Sequence, residues 1–75
     1  METEREIAVI NQRADQEIRI GLGNFKKIKL IDIRTHLKIE GELRPTQKGV
    51  SLKTELFPQL WDGIEKLADL VSDIR

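Results

Sequence analysis

In stretches of the first two thirds of the chain apolar side chains recur at every second position, and along the last third at steps of three and four. The first period belongs to strands and the second to a helix. In "EIRIGLG" (Glu17–Gly23), Ile18, Ile20 and Leu22 face one way and Arg19 and Gly21 the other. "EIAVI" (Glu6–Ile10) is β-branched and predicts an earlier strand, with the polar "NQRADQ" as the loop of a hairpin. A single helix over residues 2–17 competes, because glutamate, arginine and alanine favour helix. Its apolar stripe of Ile7, Ile10 and Ala14 is thin, so strands are preferred.

"KIKLIDIRTHL" (Lys27–Leu37) is the longest strand expected. Lys29, Ile31, Ile33, Thr35 and Leu37 share one face; Ile28, Leu30, Asp32, Arg34 and His36 share the other. The first face reads as core, with Lys29 close enough to the strand start to lift its ammonium into water. An antiparallel sheet covered on one side and wet on the other produces such faces. Gly41 marks a turn or bulge, and "RPTQKG" a second break. Pro45 has no N–H for a ladder and belongs on an edge or in a loop. Gly49 supplies a backbone angle that other residues resist, just before a short strand Val50–Leu52.

From Thr54 the period lengthens. Phe57, Leu60, Ile64, Leu67, Val71 and Ile74 form a helical stripe that Leu56, Trp61, Ala68 and Leu70 widen. Thr54 suits an N-cap with Glu55 in the first turn. Pro58 loses a backbone bond at the fourth helical position and none at the first, so a start nearer Pro58 competes. Gly63 costs up to about 1 kcal/mol against alanine and is read as close packing on the sheet or a partner. The expected fold is α+β: one domain over residues 1–75, with four antiparallel strands within about 6–52 and one C-terminal helix over about 54–73. One helix covers one sheet face. The other must be wet, paired with another subunit, or holding a ligand.

Composition narrows this further. In 75 residues there is no cysteine and one histidine, which excludes disulfides, thiolate metal sites and a histidine metal cluster. A core this small gains from self-association. No apolar run approaches the roughly 18 residues of a membrane span. "METEREIAVI" lacks the basic start and apolar stretch of a signal peptide. A soluble intracellular protein is expected.

Formal net charge is zero, yet the charges are segregated. Residues 1–24 carry five acidic and three basic side chains, residues 25–53 carry three and eight, and residues 54–75 carry five and two. A basic middle between acidic ends is either a solvated face or a surface for a polyanion.

The blocks "NFKKIKLIDIR" and "EGELRPTQKGVSL", followed by a helix containing "LW", resemble the transcriptional coactivator PC4 (p15) family. The likeness covers Asn24 to Trp61, and its specific parts are Leu30–Arg34 and Lys48–Leu52. It implies a curved ββββα domain that forms homodimers through its helices and the strands near them. It also implies binding of single-stranded DNA in paired channels, with roles in transcription, replication or repair. Phe25 falls on a family aromatic of the DNA surface, Lys26 on the basic residue after it, and Arg34 on the arginine closing the long strand, which contacts DNA in the family. Arg44 and Lys48 fall on basic positions of the loop bordering the channel. Asp32 matches too, as a residue orienting Arg34. Lys27 stands on the family's glycine, Ile28 on its second lysine and Lys29 on an aliphatic position. His36 and Leu37 stand on aromatics, Leu37 in place of a tryptophan, and Thr46 replaces a turn glycine.

The nucleic-acid-binding residues expected are thus Phe25, Lys26, Lys27, Arg34, His36, Arg44 and Lys48, with Leu60, Trp61, Ile64 and Leu67 as the dimer or core face of the helix. Single-strand binding joins a basic groove to stacking platforms. This chain has the groove but only Phe25 and His36 as platforms, with Arg34 able to lie on a base, so phosphate contacts and salt sensitivity should dominate. The plain alternatives are a sheet-edge plug for Phe25, a surface ion pair for Arg34 and Asp32, edge protection for the lysines, solvated loop residues for Arg44 and Lys48, and packing for His36. RNA stays open as a ligand. The helix stripe also suits a module docking on transcription or replication proteins. No catalytic residues, cofactor or metal are expected, since no nucleophile–base spacing or phosphate-binding glycine loop is present. Location would be the cytoplasm, with the nucleoid, in a bacterium or phage, and the nucleus in a eukaryote.

Overall fold

The computed structural model describes residues 2–74, with side chains from Arg5 onward. Four antiparallel strands, β1 (Glu2–Arg13), β2 (Gln16–Phe25), β3 (Ile28–Ile39) and β4 (Glu42–Lys53), lie side by side in chain order. A 3₁₀ turn (Thr54–Leu56) leads into α1 (Phe57–Ile74). The ββββα order is the expected one. The sheet is open rather than strongly curled, with β1 and β4 as its edges.

The strands run longer than the apolar alternation. "NQRADQ" is not a loop: Asn11–Arg13 stay in β1, Gln16 begins β2, and only Ala14 and Asp15 turn. The Asp15 carbonyl accepts from the Lys38 N–H at 2.8 Å, tying this turn to β3. The other two hairpins also close in two residues. Lys26 and Lys27 take φ of 50° and 68°, and Glu40 and Gly41 take 53° and 78°. Paired positive φ values are what a type I′ turn requires, because its twist matches that of the flanking strands. Glycine does this without strain; Lys26, Lys27 and Glu40 do not.

"RPTQKG" is not a break between strands either. It lies within β4, where Arg34 pairs with Gly49 and His36 with Pro45, so Thr35 alone faces Thr46, Gln47 and Lys48. The segment is a bulge on an edge strand, and Pro45 sits on that edge. Thr46 closes it: Oγ1 donates to the Thr35 carbonyl at 2.8 Å and accepts the Lys48 N–H at 3.1 Å. At Gly49 an added Cβ would lie 2.4 Å from the Ile33 carbonyl oxygen and 2.7 Å from the Arg34 Cα. Close approach of two backbones is therefore the reason for glycine here.

Cross-strand partners share a face. Ile10, Ile18 and Thr35 line up on one side, as do Ala8, Ile20, Ile33 and Val50, and Leu22, Ile31 and Leu52. Ile31 at their centre is the one buried large apolar side chain among the described residues. The 3₁₀ turn brings Phe57 over this side, where it bounds a hollow of about 330 Å³ with Ile7, Ile20, Leu22 and Ile31.

Beyond that point α1 barely touches its own sheet, and none of its residues is buried. The helix starts next to Pro58, as one of the two expected starts had it, and Thr54 lies inside the 3₁₀ turn rather than at an N-cap. Lys66 pairs with Asp62 one turn away on the polar side at 3.1 Å. Gly63 has no other part of the chain within 4 Å of a built Cβ, so packing on its own sheet does not account for it. The accessible surface is 6291 Å², against about 4,700 Å² for a compact monomer of this mass. The radius of gyration is 14.0 Å, against about 11 Å for a compact chain of this length. Secondary structure is complete while the apolar surface is largely uncovered.

Candidate functional site

The side of the sheet opposite Ile31 carries the polar residues. Ladder partners place Glu6 with Gly21 and Asp32 with Ser51 there, Arg19 beside Arg34, and Glu17 beside His36. Phe25, paired with Ile28, belongs to the same side. At about 3.4 Å per residue, Phe25 at the hairpin end lies roughly 20 Å from Arg34, and His36 lies roughly 7 Å farther on.

The positive charge on this face is partly neutralised. Arg19 Nη1 meets Glu6 Oε1 at 2.6 Å and its Nε meets Glu17 Oε2 at 2.9 Å. Arg34 is more tightly held. Its Nε and Nη2 donate to Asp32 Oδ1 at 3.2 and 3.1 Å, Nη1 donates to the Thr46 carbonyl at 2.9 Å, and Nη2 donates to Ser51 Oγ at 3.3 Å. Ser51 Oγ in turn donates to Asp32 Oδ1 at 2.8 Å. Asp32 thus orients the guanidinium, and the shared bonds set it apart from an exposed surface pair of negligible worth. His36 Nδ1 lies 3.4 Å from the Arg34 carbonyl. Asp32, Arg34, His36, Pro45, Thr46, Gln47 and Ser51 line an open hollow on this face.

At the far end the β2–β3 turn projects Lys26 and Lys27, both exposed. Lys26 Nζ stands 5.3 Å from the centroid of the half-exposed Phe25 ring, a cation–π distance. The pair offers a charge and a stacking face together. Lys53, exposed and paired with Leu30, shares this side and is a residue the sequence reading missed. Reading "RPTQKG" as a break cut the alternation that would have carried the facing back from Lys53.

The expected residues are only partly united. Phe25, Arg34 and His36 share the polar side, the Lys26–Lys27 turn caps its end, and Lys48 rides on the bulge bordering it. Arg44 is not brought to them: it pairs with Leu37 on the apolar side and binds Glu42 at 3.1 Å. His36 and Leu37, the two positions lacking the family aromatics, fall on opposite faces. On the helix, Leu60, Trp61, Ile64 and Leu67 lie in one apolar half. Trp61 stacks near Phe57 with centroids 6.2 Å apart, and Trp61, Ile64 and Leu67 are exposed.

Residues 13–63 match the family model described as Transcriptional Coactivator p15 (PC4). Among solved structures, the chain is similar to BPSL1147, a PC4 homolog from Burkholderia pseudomallei, in two crystal forms. The orthorhombic form matches with 26% identity and a TM-score of 0.79 over 89% of this chain and 90% of that one. For the tetragonal form the values are 28%, 0.77, 85% and 96%. MoSub1, solved as a complex with single-stranded DNA, is similar in fold, with 23% identity and a TM-score of 0.66 over 99% of this chain and 92% of that one.

Proposed function

We infer that this chain, which belongs to the transcriptional coactivator p15 (PC4) family, is a non-enzymatic single-stranded DNA-binding protein acting in transcription, replication or repair. The observation that carries this is the arrangement of the polar sheet face within the family-matched residues. A stacking ring under a lysine stands at one end, and an ordered arginine beside a lysine-bearing bulge stands at the other. A backbone tracking between them meets cations at both ends and a π-face at one, the combination single strands require. Two ion-paired arginines and few rings leave the lysines to supply much of the attraction, so binding should be salt-sensitive.

The working unit is a homodimer joined through α1. The helix presents an apolar half that its own sheet leaves uncovered, with Trp61 and Leu67 more than half exposed. A second copy supplies an identical surface and doubles the nucleic-acid face, so two modest sites act together.

Fluorescence anisotropy tests the inference with labelled single-stranded DNA, duplex DNA and RNA of equal length at two salt concentrations. Tightest binding to single-stranded DNA, weakening with salt and with Lys26→Ala, is expected. Tighter binding of RNA would reassign the ligand. No binding by folded protein at low salt would leave the helix as a docking surface for other proteins.

A further inference from the structure

We propose that Ile28 and Leu30 extend the Phe25 ring into an apolar shelf on the polar sheet face, and that this shelf selects thymine by covering its C5-methyl group. The proposal rests on the single-strand-binding inference and adds which base the face prefers. Phe25 and Ile28 are cross-strand partners at the end of the β2–β3 hairpin, and Leu30 follows on the same side of β3. Such partners hold their Cβ atoms about 5 Å apart, and Leu30 stands roughly 7 Å farther along β3. Phe25 is 48% exposed and Ile28 43%, while Leu30 is half-buried. β4 ends at Lys53, opposite Leu30, so Ile28 has no ladder neighbour on that side and the shelf is open there. Thr54 and Phe57, which follow, lie over the opposite side of the sheet.

A single exposed aliphatic residue is ordinary on a protein surface. Here three apolar side chains adjoin on the wetter side of the sheet, with lysines around them. Lys26 Nζ stands 5.3 Å from the Phe25 centroid, Lys27 follows in the turn, and Lys53 pairs with Leu30. Among the described residues none of these three lysines is ion-paired. Asp32, next on this side of β3, is taken up by Arg34 and Ser51. An apolar floor inside a cationic rim fits an unpaired nucleotide, whose base is flat and whose phosphates lie outside it. Stacking on Phe25 suits any base, since every base has a π-face. The aliphatic side chains beside the ring discriminate by edge: a covered methyl group is favourable, and a covered polar group without a partner is costly. Thymine carries a C5-methyl group, and uracil carries hydrogen there. Ile28 stands in place of the family's second lysine, so this chain has an apolar contact where a cation is expected, and Lys53 supplies a cation one strand away.

Oligonucleotides of deoxythymidine and deoxyuridine of equal length differ only in that methyl group, and fluorescence anisotropy on the full chain compares them. Wild type should bind the thymidine strand about fourfold more tightly for one base on each shelf. That ratio is about 0.8 kcal/mol for one buried carbon at about 1.4 kcal/mol per tenfold. Ile28→Ser and Leu30→Ser should each bring the ratio toward one. Ile28→Lys separates the shelf from the charge around it: the ratio should fall while affinity rises and the salt slope steepens by about 0.7. Ile28 is exposed enough for its variants to fold if Leu30→Ser does not, and circular dichroism checks each one. Equal binding of the two strands by wild type overturns the proposal and leaves the single-strand-binding inference standing. A ratio that survives Ile28→Lys in folded protein does the same. No binding of either strand at low salt overturns both.

Discussion

If α1 joins two copies as proposed, Leu67→Ala should loosen that homodimer by roughly 30- to 100-fold. Leu67 lies near the middle of the apolar half of α1 and is 55% exposed in the single chain. Fully burying a leucine is worth about 1.5–3 kcal/mol, so covering the exposed part gains about 1 kcal/mol in each copy. Two-fold symmetry doubles this to about 2 kcal/mol, and a poorly filled cavity raises it toward 3. At about 1.4 kcal/mol per tenfold, those energies give the stated range. The surface supports a contact of ordinary size: the excess over a compact monomer is about 1,600 Å² per chain, against about 800 Å² per partner in a standard interface. Sedimentation equilibrium over a concentration series measures the dissociation constant. Asp69→Asn, on the polar half, serves as a control that should leave it unchanged. A wild type that sediments at 8.7 kDa at every concentration while remaining cooperatively folded would refute the reasoning. A dimer indifferent to Leu67→Ala would place the interface elsewhere.

Gly49→Ala should destabilise the fold by about 3 kcal/mol, because the Cβ meets backbone atoms that cannot rotate away; thermal melting should fall by roughly 12–24 °C. Lys27→Gly should raise stability by roughly 0.5–1 kcal/mol in urea titration. Relief of about 1–2 kcal/mol of left-handed strain outweighs the freer unfolded chain. Lys26→Ala and Lys53→Ala should each weaken single-stranded DNA binding and reduce the slope of log K against log salt by about 0.7. Arg44→Ala, on the opposite face, should leave that slope unchanged.

The sequence alone determined the order of elements, because a shift from period two to period 3.6 is a local signal. The two faces of β3 followed from the same alternation, as did the apolar half of the helix. Pro45 on an edge followed from its missing N–H. Family-like blocks within residues 24–61 pointed to the class of ligand. What the sequence could not determine was where pairing ends. Asn11–Arg13 and Arg44–Gly49 look like loops, yet the ladder takes up Asn11, Arg13, Arg44, Pro45 and Gly49 and leaves Thr46–Lys48 as a bulge between them, since an edge strand pairs with one neighbour and tolerates polar residues and bulges. The mistaken break at "RPTQKG" hid three things together: Arg44 on the apolar face, Lys53 on the polar one, and the bulge that Arg34 holds. Only tertiary structure joins residues as distant as Arg34, Thr46 and Ser51, because their bonds depend on strand register. It also decided that α1 leaves the sheet. Amphipathicity shows that a helix must bury one side, and only the geometry shows that its own sheet does not cover it.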